Sequence, residues 1–164
     1  LCAPKLQNYF SGCSENIDII FDYFDFSVDH EEIVDLVFLL NVLHHVGDDF
    51  GDKTLAIEEA KENMLISING LAKMTKFLFL QIGFNWKSDI KHCLFEHGTK
   101  REMIDFITSG TSQNWSVKAI GVPVKHDHDV IVYEDLNEKN IERKDELGEF
   151  LNRPIFVLES VLLK

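Results

Sequence analysis

The chain has few cysteines and no long hydrophobic run. Its three cysteines, Cys2, Cys13 and Cys93, are widely spaced and form no CxxC pair. An odd count at such spacings argues against a disulfide framework or a zinc knuckle and favours a reducing, cytoplasmic setting. No apolar run reaches the roughly 18 residues that a membrane span needs, and the first residues carry no signal-peptide pattern. We therefore expect a cytoplasmic protein without a membrane span.

Positive charge is also scarce, because 16 Lys and Arg residues stand against 28 Asp and Glu residues, a formal net charge of −12. Such a surface repels nucleic acid unless a local basic patch exists. Short basic pairs such as Lys100-Arg101 are typical of solvated helix ends. The composition is 45% hydrophobic over 164 residues, which suits a single globular domain with a sizeable core. Nucleic acid is therefore not favoured as a partner.

The most informative segment runs from Asp35 to Val46. Its first part, Leu36 to Leu40, is an unbroken apolar run, and a polar residue and a His-containing stretch follow. An unbroken apolar run favours a strand buried on both faces, as in a parallel sheet covered by helices. Ligands of such sheets bind at the carboxyl ends of the strands. The pattern therefore directs attention to Asn41 through His45.

Strand and helix signals alternate along the chain. Ile57, Ala60, Met64, Ile68 and Leu71 recur at helical spacing, and Thr99 and Glu102 have the spacing of a capping box. We predict helices over 4–14, 53–74 and 99–110, an exposed connection over 137–149, and strands over 17–26, 36–40, 77–82, 115–122, 130–133 and 155–163. This alternation favours an α/β fold with a mainly parallel sheet and an antiparallel finish.

The order of these elements resembles the C-terminal part of a class I S-adenosylmethionine-dependent methyltransferase. In that family a strand ending in an acidic-aromatic pair precedes a strand ending in an NVLHHV-like segment. Phe24-Asp25-Phe26 and Leu40 to Val46 are similar to these two strand ends, and Arg153 to Glu159 resembles the closing antiparallel strand. The resemblance implies a Rossmann-like, mainly parallel sheet with an antiparallel C-terminal strand, and S-adenosylmethionine as cofactor.

Glycine departs from the family pattern. The family's first strand ends in a glycine-rich turn that lets the backbone approach the cofactor. This chain has nine glycines, and no two are separated by a single residue, so no GxG occurs. The segment before Ile17 is also too short for two strands and a helix. We therefore expect residues 1–164 to form a single, partial domain that lacks the N-terminal strands.

The resemblance implies a cofactor site at two strand ends. Asp25 and Phe26 occupy the place of residues beside the adenine, where a carboxylate accepts the exocyclic amine and a ring packs on the base. At Leu40 and Asn41 the backbone faces the methionine part, and the Asn41 side chain adds a hydrogen bond. The structural alternatives are an acidic strand end with a core phenylalanine, and an asparagine that caps a turn.

The catalytic and acceptor residues are expected nearby. His44 and His45 point about 100° apart on a helical turn, so at most one easily faces the site, and we choose His45 as the general base. Asn85, Trp86 and Lys87 follow the strand over 77–82, which lines the acceptor side in the resembling family. Trp86 is a candidate wall, and Lys87 a candidate partner for an anionic acceptor. The alternatives are a packed or surface histidine and an ordinary loop.

The expected function is methyl transfer from S-adenosylmethionine to a small-molecule or glycan-like acceptor. One alternative is a non-catalytic methyltransferase-like subunit that forms a homo-oligomer or pairs with a second chain. A second alternative is a metal-dependent hydrolase using His126 and His128, which alternate with Asp127 and Asp129. In a strand, that alternation places both histidines on one face, where imidazole and carboxylate suit a divalent metal.

Overall fold

The computed structural model describes residues 24–26, 32–89 and 91–163. The helix predicted over 4–14 and most of the strand predicted over 17–26 lie outside these residues. The described part is built on a five-stranded sheet with the strand order β1-β2-β5-β3-β4. Its elements are β1 (Val34–Leu40), α1 (Ile57–Leu71), β2 (Thr75–Gln81), α2 (Lys100–Thr111), β3 (Trp115–Lys125), β4 (Ile131–Asp135) and β5 (Ile155–Ser160).

The sheet is mixed, so the prediction of a Rossmann-like, mainly parallel sheet is wrong. Only β1 and β2 pair in parallel, while the β2–β5, β5–β3 and β3–β4 pairs are antiparallel. The reason lies in the connections. A short turn at Asp127–Asp129 joins β3 to β4 as a hairpin, and the connection to β5 carries only short 3₁₀ turns. A parallel pairing requires a longer crossover, usually through a packed helix.

The apolar core lies between one face of the sheet and the two helices. Leu39, Leu78 and Leu158 contribute to it from three neighbouring strands. The helices lie side by side and are joined by a hydrogen bond, in which Asn69 of α1 donates to the Gly110 carbonyl of α2 at 2.9 Å. The buried helix residues of the core are Ala60, Met64, Ile68, Leu71, Met103, Ile104 and Ile107.

The opposite face of β1 and β2 is apolar but poorly covered. Leu36, Phe38 and Phe77 remain 41%, 62% and 37% exposed, and the Phe38 and Phe79 rings lie 5.0 Å apart. The apolar run over 36–40 is therefore buried on one face only, and the expectation of burial on both faces is wrong. The cause is that α1 and α2 pack on the same side of the sheet, which leaves alternate residues of β1 exposed.

The helix starts follow capping chemistry. The predicted capping box is confirmed, because Thr99 Oγ1 accepts from the Glu102 amide at 3.2 Å and the Thr99 amide donates to the Glu102 carboxylate at 2.9 Å. Helix α1 begins four residues later than predicted. Asp52 holds a turn by accepting from the Thr54 amide at 2.8 Å, and Glu59 caps the helix by accepting from the Ala56 amide at 2.7 Å.

Candidate functional site

A cleft of about 1080 Å³ lies between β1, α1 and the residues that precede β1. Its volume is that of a small-molecule site. Most of its walls are apolar or aromatic, three aspartates line it, and none of the lining residues that the structure describes is Lys, Arg or His. The lining residues are Phe24, Asp25, Phe26, Val37, Phe38, Leu39, Val42, Val46, Asp49, Phe50, Gly51, Asp52, Leu55, Asn63, Ile66, Ser67, Leu71 and Met74.

The chain leaves the sheet sharply after Leu40 and so forms one wall of the cleft. The Asn41 amide still donates to the Gln81 carbonyl at 2.8 Å, but Asn41 itself has a left-handed backbone with φ 60°. Asparagine tolerates this conformation better than most L residues. A 3₁₀ turn over Leu43–His45 follows, and Val42 and Val46 on either side of it line the cleft.

Aromatic rings also line the cleft. The Phe24 and Phe26 rings meet edge to face with centroids 5.0 Å apart, and the Phe26 and Phe50 rings lie 6.2 Å apart with a tilt of 35°. Asp25 lies between the first two phenylalanines and is exposed. This part of the lining therefore combines flat apolar surfaces with a carboxylate at the surface of the cleft.

A polar network joins the carboxyl ends of β1 and β2 to Arg153, two residues before β5. Asn41 donates from Nδ2 to Gln81 Oε1 at 2.7 Å and accepts at Oδ1 from Arg153 Nη1 at 2.7 Å. Gln81 completes the circuit by donating from Nε2 to the Arg153 carbonyl at 3.0 Å. Three residues that are far apart in the sequence thus hold one another behind the cleft wall.

Glu149 extends this network to the segment after β2. Its carboxylate accepts from Arg153 Nη2 at 2.7 Å, from the Phe84 amide at 3.2 Å and from Asn85 Nδ2 at 3.1 Å. Burial raises the pKa of Glu149, but the hydrogen bond and positive charge of Arg153, together with the Phe84 amide, outweigh burial and lower its pKa below the usual value. Glu149 is therefore ionised at neutral pH.

His44 is buried beside this network. It is 2% exposed, and its Nδ1 has no hydrogen-bond partner. Burial, together with the nearby charges of His45 and Arg153, lowers its pKa from 6.5 to about 4. The ring packs on Gly83, where an added Cβ would lie 2.7 Å from His44 Cδ2. His44 is thus a neutral packing residue at neutral pH.

Trp86 joins the segments that follow the two parallel strands. It is 7% exposed and donates from Nε1 to the Val46 carbonyl at 2.7 Å. Lys87, at φ 53°, places Nζ 4.2 Å from the centroid of the Trp86 ring and donates to the Lys53 carbonyl at 3.4 Å. Trp86 therefore supports the cleft wall from behind.

The structure brings some of the sequence-predicted residues to the cleft. Asp25 and Phe26 line it, whereas Leu40 and Asn41 lie outside its lining. Leu40 is 40% exposed, and the Asn41 side chain is engaged in the polar network. His45 is adjacent to the cleft, because its Nδ1 lies 3.3 Å from Oδ2 of Asp49, a lining residue.

The three residues predicted on the acceptor side, Asn85, Trp86 and Lys87, also lie outside the lining. Asn85 is held by Glu149, and the indole NH of Trp86 is held by Val46. These residues flank the segment after β1 rather than the cleft itself.

Sequence reasoning missed Glu149 and Arg153 as members of this region. Their spacing of four residues, with opposite charges, is the signal of a short-range ion pair. Asp49 and Asp52 also line the cleft, and no motif in the sequence indicates this. Nothing in the sequence alone relates Arg153 to Asn41, which is 112 positions away.

Two places combine histidine with aspartate in the manner of metal ligands. In the part of the chain that the structure describes, one group could hold an ion, namely His45, Asp48 and Asp49, whose ligand atoms lie within 4.8 Å of one another. The His126–Asp129 segment is a hairpin turn and not a strand, with His128 at φ 63°. Its two histidines therefore do not share a strand face, and His126 instead lies 2.8 Å from Glu134.

Comparison with known proteins gives no relative: no family model, no curated protein and no solved structure matches the chain. Within the described residues, none of the helices has the length and apolar character needed to cross a membrane. The geometry and chemistry of the cleft are therefore the structural basis for assigning a function to the chain.

Proposed function

We propose that the chain is a methyltransferase-like protein that binds S-adenosylmethionine in the cleft and acts on a small-molecule or glycan-like acceptor. The observation that carries the proposal is that Asp25 and Phe26 line the same cleft as Val42 and Val46, which belong to the segment that leaves β1. The sequence resemblance rests on these two segments. Their convergence on one cleft supports a common ligand.

The charge of the cleft favours this cofactor over nucleotides that carry phosphates. Among the residues that the structure describes, its lining contains Asp25, Asp49 and Asp52 and no Lys, Arg or His. Carboxylates repel phosphate, whereas proteins that bind phosphate use cationic side chains or helix N-termini. S-adenosylmethionine carries a sulfonium cation and no phosphate. An acidic cleft with aromatic walls therefore suits it.

The residues present fit the cofactor in two respects. The Asp25 carboxylate suits the exocyclic amine of adenine, and the Phe26 ring offers an apolar face to the base. The sequence lacks a GxG turn, so close backbone contacts to the rest of the cofactor are fewer than usual. We therefore expect weak binding, with a dissociation constant on the order of 1 mM to 10 μM.

The cofactor supplies an activated methyl group, and the protein's task is to position the acceptor and receive its proton. In our proposal His45 receives that proton, and Asp49, 3.3 Å from His45 Nδ1, orients its ring. The neighbouring His44 is unsuited to the role, because it is buried and its Nδ1 faces no partner. Lys87, in the loop that flanks the segment after β1 together with Asn85 and Trp86, would contact an anionic acceptor where it extends beyond the cleft.

Isothermal titration calorimetry with S-adenosylmethionine, S-adenosylhomocysteine and ATP tests the proposal. We expect the two adenosyl ligands to bind and ATP not to bind. Asp25→Asn should weaken their binding by about tenfold because it removes a charge-assisted hydrogen bond. Asp105→Asn, a matched change on an exposed residue of α2 outside the cleft, is the control. Absence of heat for both adenosyl ligands, or equal binding of ATP, would contradict the proposal.

A second candidate function, a non-catalytic interaction subunit, is favoured by the apolar face of β1 and β2. Leu36, Phe38 and Phe77 expose large side chains there, and exposed apolar patches commonly mark protein interfaces. Sedimentation over a concentration series tests this function for self-association. A dimer that dissociates on Phe38→Ser supports it, and a monomer at all concentrations contradicts self-association through this face.

A further inference from the structure

We infer that Arg153 is a positioning residue for the cleft: its guanidinium, held by Glu149, fixes the left-handed turn at Asn41 and thereby the wall that Val42 and Val46 contribute. The identity of the ligand in this inference rests on the proposed function. Arg153 itself lies outside the lining of the cleft. It is connected to the cleft through Asn41, to which it donates a hydrogen bond.

The first step concerns Asn41. Its φ of 60° lies in the region that L residues avoid, so the turn persists only if neighbouring groups hold it. Three hydrogen bonds do so: the amide to the Gln81 carbonyl, Nδ2 to Gln81 Oε1, and Oδ1 from Arg153 Nη1. Only the last involves a charged group, and charge-assisted hydrogen bonds are the stronger kind.

The second step concerns how Arg153 is itself fixed. Its side chain is only 12% exposed, its Nη2 is 2.7 Å from Glu149 Oε1, and its guanidinium carbon lies 5.5 Å from the centroid of the Phe150 ring. Its backbone carbonyl accepts from Gln81 Nε2. Arg153 Nε is buried without a partner, so the guanidinium is oriented by its two terminal nitrogens.

The third step joins Asn41 to the cleft. Val42 follows Asn41 directly, and both Val42 and Val46 line the cleft. A change of backbone conformation at Asn41 therefore displaces the wall that begins at the next residue. Glu149 also accepts hydrogen bonds from the Phe84 amide and from Asn85. The Arg153–Glu149 pair therefore holds both the segment that follows β1 and the segment that follows β2.

A double-mutant cycle between Arg153→Met and Asn41→Gly tests the inference. Glycine adopts φ 60° without strain, so Asn41→Gly keeps the turn accessible while it removes the side-chain bonds. We expect Arg153→Met to weaken S-adenosylhomocysteine binding by about tenfold in the wild-type background, and to have little effect in Asn41→Gly. An equal loss in both backgrounds would overturn the inference, because Arg153 would then act through general stability.

A second measurement does not depend on the ligand. Arg153→Met should speed hydrogen exchange of the Asn41 amide by about tenfold in the ligand-free protein, because local opening becomes easier. Arg153→Lys should have an intermediate effect, since one ammonium cannot reproduce the two terminal nitrogens of the guanidinium. Lys118→Met removes a matched ion pair, with Glu159 at 2.7 Å, and should leave Asn41 exchange unchanged.

The two measurements separate the possible failures. If the wild-type protein does not bind S-adenosylhomocysteine, the proposed function fails, and the exchange rates alone decide the role of Arg153. If the ligand binds but Arg153→Met changes neither its affinity nor the exchange of the Asn41 amide, the positioning role is wrong. Should Arg153→Met fail to fold, Arg153→Lys and Asn41→Gly provide the same comparison.

Discussion

The indole nitrogen of Trp86 donates a hydrogen bond to the backbone carbonyl of Val46, over 2.7 Å. The two residues follow different strands of the parallel pair β1–β2, and Val46 lines the cleft. A side chain in the segment after β2 thus holds the backbone of the segment after β1. This hydrogen bond ties the segment after β1, which forms part of the cleft wall, to the segment after β2.

Replacing Trp86 by phenylalanine tests this support. Phe keeps most of the apolar volume but leaves the Val46 carbonyl without its donor, so we expect a loss of about 2 kcal/mol in the free energy of unfolding. Urea unfolding measures it. Trp115→Phe is the control, because Trp115 donates in the same way to the Ile68 carbonyl at 3.0 Å, away from the cleft. Both variants should lose stability, but only Trp86→Phe should also weaken adenosyl-ligand binding.

Gly83→Ala should destabilise the protein by steric conflict with His44. The added Cβ would lie 2.7 Å from His44 Cδ2 and 2.9 Å from its Nε2, closer than packed atoms allow. We expect a cost of about 1–3 kcal/mol, measured by urea unfolding. Gly70→Ala, within α1, is the control. Its nearest neighbour would be 3.9 Å away, so it should stabilise the helix by about 0.5–1 kcal/mol.

The cause of the Gly83 effect can be checked by combining the change with His44→Ala. Removal of the imidazole empties the space that the new methyl group needs. The cost of Gly83→Ala should therefore be much smaller in the His44→Ala background. An unchanged cost would mean that the backbone at Gly83, rather than contact with His44, limits the substitution.

Local patterns predicted the helices well because their signals are local. The capping box of Thr99 and Glu102 predicted the start of α2 almost to the residue, and helical spacing predicted which side of α1 is buried. The sheet was predicted less well. The apolar run of β1 does not reveal that both helices pack on one face, and the histidine-rich segment after Lys125 does not reveal a hairpin turn.

The polar network was beyond sequence reasoning for a physical reason. Arg153 and Asn41 meet only because β5 enters the sheet beside β2, and that pairing depends on the fold as a whole. Asn41 itself was found from its position at a strand end. Its left-handed backbone and its partners, however, follow from tertiary contacts, which no spacing rule encodes.

His44 should make stability depend on pH. Its pKa is lowered from 6.5 to about 4 in the folded protein, mainly by burial, so the unfolded chain takes up a proton first as the pH falls. Stability is therefore fully present well above pH 6.5 and is lost towards pH 4, by about 1.5 kcal/mol between pH 6.5 and 5.0. Urea midpoints at several pH values measure this loss.

The variant His44→Gln separates this effect from other titrations. It removes the imidazole and should flatten the profile between pH 6.5 and 5.0, even if it lowers stability at neutral pH. His126→Gln is the matched control, because His126 is exposed and hydrogen-bonded to Glu134. A profile for His44→Gln as steep as that of the wild-type protein would show that another group causes the pH dependence.

A polar substitution should destabilise the protein strongly on one face of β1 and hardly at all on the other. Leu39 is 9% exposed and packs in the core, whereas its neighbour Phe38 is 62% exposed on the other face. We expect Leu39→Ser to cost about 3 kcal/mol in the free energy of unfolding, and Phe38→Ser to change it by less than about 0.5 kcal/mol. Urea unfolding of the monomer at low concentration makes this comparison. A large loss for Phe38→Ser would mean that the exposed face is covered in solution. If the stability of the wild-type protein also rose with protein concentration, the cover would be a second copy of the chain, since only association makes stability depend on concentration in this way.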